Sequence, residues 1–364
     1  MNTFSLAITF IPLALFFIFI PYLTRKTESF GVSIPEEIYA TSEMKQLRKK
    51  YALLTVVVSI VMFGIVLVSP ESIMEDKTGG IFLTFLIFGY MIIEFFIYLY
   101  FHRIMKQRKK AATWWDDKTE KVMVHTTFRT QQLRFSNKWF IIPFLIFLTT
   151  TTLTYVWYAQ FPDQLPTNFD FLGEATNFVS KSYLSVFALP LTQLFLIALF
   201  FAVNILIGKV KQQISSENPD RSLQQNVIFR RRWSLYMIAS SILLTIWLFV
   251  AQFISLLPKG NHVFTVASVI IHGLMLVGVI YLAFSTGQGG SRVKIADERN
   301  DKIIDRDNDR YWKLGVFYVN KQDPSIFLEK RFGIGWTFNW GNPKSWGILF
   351  VFSLFTLSII LLTR

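Results

Sequence analysis

Few folds let a chain gather 33 of its 37 Lys and Arg residues on one side of a set of apolar runs. The runs are about 20 residues long, enough to cross a hydrocarbon core of about 30 Å as helices. They read as eight spans over 4–23, 51–69, 81–101, 139–158, 183–207, 233–257, 263–284 and 346–362. No strand-like alternation runs through them, and a helix satisfies its own backbone where lipid offers no hydrogen-bond partner. The expected fold class is an all-α integral membrane protein.

The loops test the count. Segments 24–50, 102–138, 208–232 and 285–345 carry six, ten, six and eleven Lys/Arg, leaving only Lys77, Lys181, Lys259 and Arg364. With eight spans every basic segment lies inside and both termini lie outside. One span more or fewer scrambles the sorting. Spans 2, 4, 6 and 8 start from the inner face with a cation beside a ring: Lys50-Tyr51, Lys138-Trp139, Arg232-Trp233 and Lys344-Ser345-Trp346. That pairing suits the headgroup level. Span 1 lacks a cationic start and a small-residue cleavage site, so it reads as a retained anchor. The outside N-terminus and missing transit-peptide features favour a bacterial plasma membrane. With no cysteine, disulfides, thiolate metal sites and palmitoyl anchors are excluded.

The expected organisation is a seven-helix membrane domain over 1–284, a cytosolic module over 285–345 and the eighth helix within 346–364. The module is expected to be α+β or irregular. Ile34-Pro35-Glu36-Glu37 predicts a helix start, with the helix running through Lys45, Arg48, Lys49 and Lys50 into span 2. Val122, Val124 and Thr126 alternate like a brief strand, and Gly287-Gln288-Gly289-Gly290 reads as a flexible stretch. Asp323-Pro324 and Gly333 bracket one predicted short helix. The aromatic-rich end of the module, which includes Trp312 and Trp336, is too short for its own core. It is expected to pack on the membrane domain or lie in the interface.

The outer loop 159–182 reads Phe161-Pro162-Asp163-Gln164-Leu165-Pro166-Thr167-Asn168-Phe169-Asp170, then Gly173 and Lys181. It closely resembles the loop of the SdpI-related membrane proteins, and Phe30-Gly31-Val32-Ser33-Ile34-Pro35-Glu36-Glu37 looks like a segment common in that group. Tyr311-Trp312-Lys313, Asp323-Pro324 and Gly335-Trp336-Thr337-Phe338-Asn339 resemble an uncharacterised C-terminal domain often joined to such proteins. The resemblance implies immunity to a membrane-active peptide toxin, with signalling by capture of a cytosolic regulatory protein. Asn168 stands where the family has histidine.

Physically, Pro162 and Pro166 make the loop a rigid outer cap, with Phe161, Phe169 and Phe171 expected at the bilayer edge. Asp163, Asp170 and Glu174 offer a negative face to a cationic peptide. Glu94 is the one carboxylate inside a span, and such a group is a functional candidate by default. Gln193 and His272 fall near the midplanes of spans 5 and 7, and the three together form a candidate intramembrane polar site. Thr149–Thr152 and Thr154 read as bonded back to their own helix. Inside, Lys49, Lys50, Arg230, Arg231, Arg232, Trp312 and Trp336 form the expected surface for a partner or for anionic lipid.

His102, His125, His262 and His272 have no metal-ligand spacing, and the chain lacks a Walker loop, a G-x-S-x-G and a carboxylate cluster. A non-enzymatic protein without cofactor, metal or direct nucleic-acid contact is therefore expected, acting in peptide resistance or signal transduction. A transporter or lipid-handling protein using Glu94 and His272 is the alternative. The eight-span arrangement predicts an outer C-terminus: a C-terminal reporter active only outside the cytosol should be active, and a reporter active only in the cytosol should be silent.

Overall fold

Lipid-length apolar sequence becomes helix throughout the computed structural model, which describes residues 3–69, 77–112, 114, 119–121, 131–169, 175–211, 213–216, 218–254, 256, 261–295, 303–305 and 308–362. The helices are α1 (Thr3–Leu23), α2 (Glu36–Tyr39), α3 (Ser42–Val68), α4 (Lys77–Ala111), α5 (Ile141–Val156), α6 (Tyr183–Lys209), α7 (Pro219–Ile254), α8 (Asn261–Thr286) and α9 (Pro343–Leu362). Among the described residues six helices, α3 to α8, are long and apolar enough to cross a membrane. The two outermost of the expected spans, α1 and α9, are apolar helices of 21 and 20 residues. The protein is a membrane protein.

Short antiparallel hairpins decorate the helices: β1 (Glu28–Ser29) with β2 (Val32–Ser33), β4 (Gln164–Phe169) with β5 (Ala175–Ser180), β7 (Trp312–Lys313) with β8 (Phe317–Tyr318), and β9 (Phe327–Glu329) with β10 (Trp336–Phe338). A parallel pair joins β3 (Thr119–Lys121) to β6 (Ile303–Asp305). The alternation expected at Val122, Val124 and Thr126 lies outside the described residues.

The chain divides into two compact units. The first comprises Met1–His125, Gln212–Gln225 and Thr286–Asn342. Here α1 packs along α3 and α4, with the Phe10 ring 4.9 Å from Tyr90 and Phe17 edge-on to the same ring. The helix begun after Pro35 stops at Tyr39; Thr41 then caps a new one, its hydroxyl accepting from Met44 N. The helix expected to run unbroken from Pro35 is therefore interrupted at Ala40-Thr41, where a side-chain cap competes with continuation.

The expected short helix after Asp323-Pro324 does not form. Asp323 instead accepts from Ser325 N in a side-chain turn, and the buried Asn339 amide donates to the carbonyls of Asn320 and Asp323, pinning the segment as the β9–β10 hairpin. Phe327 meets Phe338 across that hairpin at 4.6 Å, a cross-strand aromatic pair of the kind that stabilises sheets. Gly287–Gly290, expected as a flexible stretch, takes a turn conformation. Gln288, Gly289 and Gly290 form a buried turn in which the Gln288 side chain donates to Gly335 O at 2.9 Å and accepts from Gly335 N at 2.7 Å.

The second unit comprises Thr126–Lys211, Asn226–Ser285 and Pro343–Arg364. Its helices are held by buried polar side chains reaching neighbouring backbones, as expected where lipid supplies no hydrophobic drive between helices. Gln193 donates to Thr245 O at 3.0 Å, Gln252 to Val186 O at 2.9 Å and Tyr236 to Met275 O at 2.7 Å. Near the start of α5, buried Asn204 donates to Asn137 Oδ1 and accepts from Ser234. Thr149, Thr150 and Thr151 bond back to carbonyls four residues earlier.

The Gly287–Gly290 turn supplies a test. Gly290 has φ +84°, and a Cβ there would overlap the Gln225 backbone, whereas a Cβ at helical Gly64 meets nothing within 4 Å. Gly290→Ala should lower the thermal midpoint by several degrees, and Gly64→Ala should hold or raise it. Equal midpoints would remove the case for a wedged turn.

Candidate functional site

Two polar stripes with a spacing of four residues build the site. On α3 they are Tyr51, Thr55 and Ser59; on α4, Tyr90, Glu94, Tyr98 and His102. Residues four apart share a helix face, so each set forms one line. Thr55 Oγ1 donates to Glu94 Oε2 at 3.0 Å, and the Ser59 and Tyr90 hydroxyls bond at 2.8 Å. Glu94 is 1 % exposed, and among the described residues its Oε1 has no hydrogen-bond partner. Tyr51 is equally enclosed, and its hydroxyl makes no well-aligned hydrogen bond among them, with Thr55 as its polar neighbour. Buried polar atoms are normally bonded, and each exception calls for a reason such as strain, chemistry or a bound water or ion.

Lower on α4 the same stripe receives two hairpin turns. Phe30-Gly31 and Leu314-Gly315 both have two successive positive φ values, the geometry that tight hairpins require of their central residues. Tyr98 donates to Leu314 O at 2.9 Å, and His102 Nδ1 lies 2.8 Å from Phe30 O. Phe332 then stacks over Tyr98 at 4.5 Å and Phe30 at 5.9 Å. The buried Arg331 guanidinium bonds Asp309 and Asn308 and pairs with Glu28 at 3.7 Å, while Lys109 reaches Asp309 at 2.8 Å. Burial opposes ionisation of Asp309, but Arg331 and Lys109 outweigh it and hold its pKa at about 2. Arg25 similarly pairs with buried Glu329.

Between these features lies a cavity of about 600 Å³, within the size range of small-molecule sites. Its walls are mostly apolar, among them Phe88, Ile92, Phe95, Phe317 and Trp340, and the polar residues facing it include Tyr51, Glu94, Tyr98 and Lys330. Such a space suits an amphipathic molecule. Among the described residues no group of three His, Asp or Glu side chains could hold a metal.

The other expected site residues are described unit by unit. Glu94 belongs to the first unit and Gln193 and His272 to the second. Each is engaged within its own unit: Gln193 with Thr245, and exposed His272 with Ser268 O of its own helix and the Trp247 ring. Lys49, Lys50, Arg231 and Arg232 are exposed, as a surface role requires. Arg230 is not. It is fully buried and donates to Asn226 and to the carbonyls of Ile207, Val210 and Lys211, closing the C-terminal end of α6. Trp312 is also removed from the surface, packed with Tyr318 and Leu328, and Trp336 is half-buried.

In the β4–β5 hairpin Pro166 pairs with Phe178, and Asn168 with Asn177 through a register shift. Phe161 is 3 % exposed and packs on Leu165 and Val186, so it anchors the hairpin rather than meeting the bilayer edge. Lys181 donates to Phe161 O at 2.7 Å and lies over the Tyr158 ring. Asp163 is exposed, and its carbonyl accepts from Lys181 N. Phe169 ends β4; Asp170, Phe171 and Glu174 lie outside the described residues. A second cavity, of about 260 Å³, sits beneath this hairpin against Leu165, Val179, Trp247 and Phe264.

Residues 145–194, which carry that hairpin, match a domain of unknown function (DUF1648), and residues 321–346, which carry β9–β10, match a family of unknown function (DUF5808). Comparison with curated proteins and with solved structures returns no match.

The site predicts two outcomes. Glu94→Gln should fold with a thermal midpoint near that of wild type, whereas Glu94→Ala strands Thr55 and should cost about 1–3 kcal/mol; equal loss in both would contradict a hydrogen-bonding role. The depressed pKa of Asp309 contributes stability that is complete above its unfolded value of about 3.8 and lost as pH falls towards 2. Asp309→Asn should flatten the stability profile across that window, read by thermal melts from pH 5 to pH 2.

Proposed function

We propose that this chain is a non-enzymatic, ligand-responsive membrane protein in which an amphipathic molecule in the Glu94 cavity sets the state of the 311–342 module. One observation carries the reading: buried polar atoms on Glu94 and Tyr51 without a well-aligned hydrogen bond among the described residues border an apolar cavity. That cavity is walled jointly by the membrane helices and by β9–β10. An occupant would touch both, so its binding would bias the module by whatever differential contact it makes there. Eight spans, with both termini outside a bacterial plasma membrane, are part of the proposal and rest on the sorting of cations. That sidedness puts the module in the cytosol, where exposed Lys49, Lys50, Arg231 and Arg232 lie beside anionic headgroups and are available to a regulatory protein.

A second reading, resistance to a membrane-active peptide, is favoured by the outer hairpin. Its base is fixed by Phe161 and Lys181 above an apolar space, so a recognition surface is held ready. Its support is this preformed hairpin and the resemblance of its sequence.

Mass spectrometry of the intact protein extracted from its own membrane tests the first reading. Wild type should retain an amphiphile, and Val316→Trp, which fills the cavity, should not. Hydrogen exchange over 311–342 should be slower in the occupied form. Identical bound species in both proteins would overturn the reading, and unchanged exchange would remove the coupling. For the hairpin, expression in a sensitive strain should protect against a cationic peptide, and neutralising Asp163, Asp170 and Glu174 should weaken protection at low salt; full protection by that variant excludes an electrostatic role.

A further inference from the structure

The β9–β10 hairpin, which walls the cavity through Lys330, Arg331, Phe332 and Thr337, carries three consecutive charges, Glu329, Lys330 and Arg331. Side chains alternate faces along a strand, and Lys330 N still donates to Gly335 O at 3.0 Å, so the pairing extends past β9. Glu329 and Arg331 are buried and paired, the first with Arg25, the second with Asp309 and Glu28. With Lys109 added, three cations meet three carboxylates among the described residues.

Lys330 stands apart. It lines the cavity, and among the described residues its ammonium has no hydrogen-bond or ion-pair partner. It is an exposed residue, and the protein atoms packed around it lower its pKa by desolvation. An anion arriving beside it would meet a cation at the cavity wall with no carboxylate paired to it among the described residues.

The opposite wall is open. Phe88, Met91 and Ile92 line the cavity and are 59, 43 and 56 % exposed. They stand in the middle of α4's apolar stretch, where acyl chains are the solvent. An open apolar wall at that level and one uncompensated cation at the module end describe the two halves of a lipid. Tyr51 adds a hydroxyl that can donate to an ester carbonyl.

Resting on the ligand-site reading above, we infer that the occupant is an anionic phospholipid drawn from the bilayer, with an acyl chain against Phe88, Met91 and Ile92 and its phosphate on Lys330. The membrane lipid itself would then be the signal, and the module would report the anionic content of its leaflet.

The test uses the full chain, purified in neutral detergent and delipidated. Dioctanoyl phosphatidylglycerol, phosphatidic acid and phosphatidylcholine are titrated separately, with thermal midpoint and lipid retained in native mass spectra as readouts. Both anionic lipids should bind about tenfold more tightly than phosphatidylcholine, and inorganic phosphate alone should have no effect. Lys330→Gln should erase the preference and Lys330→Arg should keep it; Lys330→Met, which retains the apolar stem, replaces Gln if that variant does not fold. A wild type indifferent to headgroup, or a neutral variant with full preference, overturns the proposal. Equal retention of all three lipids, abolished by Val316→Trp, removes the anionic assignment and leaves the ligand site standing. No retained lipid of any kind removes both.

Discussion

The first unit depends on one pairing: the line Tyr51, Thr55 and Ser59 on α3 against the line Tyr90, Glu94, Tyr98 and His102 on α4. In a bilayer, apolar side chains find lipid as favourable as protein, so apolar faces alone give two helices little reason to meet. Hydroxyl and carboxyl groups have no such indifference. The Thr55–Glu94 and Ser59–Tyr90 bonds fix which faces meet, at about 0.6–2 kcal/mol each. The aromatic contacts of Phe10 and Phe17 with Tyr90 then arise from that rotation.

The same line continues out of the helix contact and organises the module. Tyr98 and His102 receive the Leu314-Gly315 and Phe30-Gly31 turns, and Phe332 closes over them. Glycine is needed at Gly315, where φ is +74° and a Cβ would overlap Tyr98 and His102. The module is thereby seated on α4 by hydrogen bonds to backbone carbonyls, and by the charge cluster of Arg331, Asp309 and Lys109. Between the seat and the helix pair a space remains, and two buried polar atoms border it.

Much of this was open to reading in the residues, and the features that escaped did so for physical reasons. Span length located the helices, and Pro162 and Pro166 marked the 159–182 loop as rigid. Glu94 stood out because a lone carboxylate in an apolar run is costly. Its neighbours Tyr90, Tyr98 and His102 recur every four residues, a period that was legible but hidden among rings that also suit lipid. Arg230 belongs to a basic triplet that looks like surface; only the fold reveals that three carbonyls at the end of α6 need a donor. The Asp323-Pro324 to Gly333 segment has helix punctuation, yet Asn339, lying outside it, decides for a hairpin. The Gly287–Gly290 stretch looks free because glycine permits freedom; here glycine permits close approach to Gln225 instead.

If the space beside Glu94 belongs to a ligand, an experimental structure of the full chain in a lipid nanodisc will show it most directly. Continuous elongated density from the face of Met91 and Ile92 past Glu94 to Lys330, with Tyr51 or Glu94 in hydrogen-bonding range of it, is the result expected. A cavity closed by its own side chains, with Glu94 Oε1 and the Tyr51 hydroxyl bonded to protein, would contradict it.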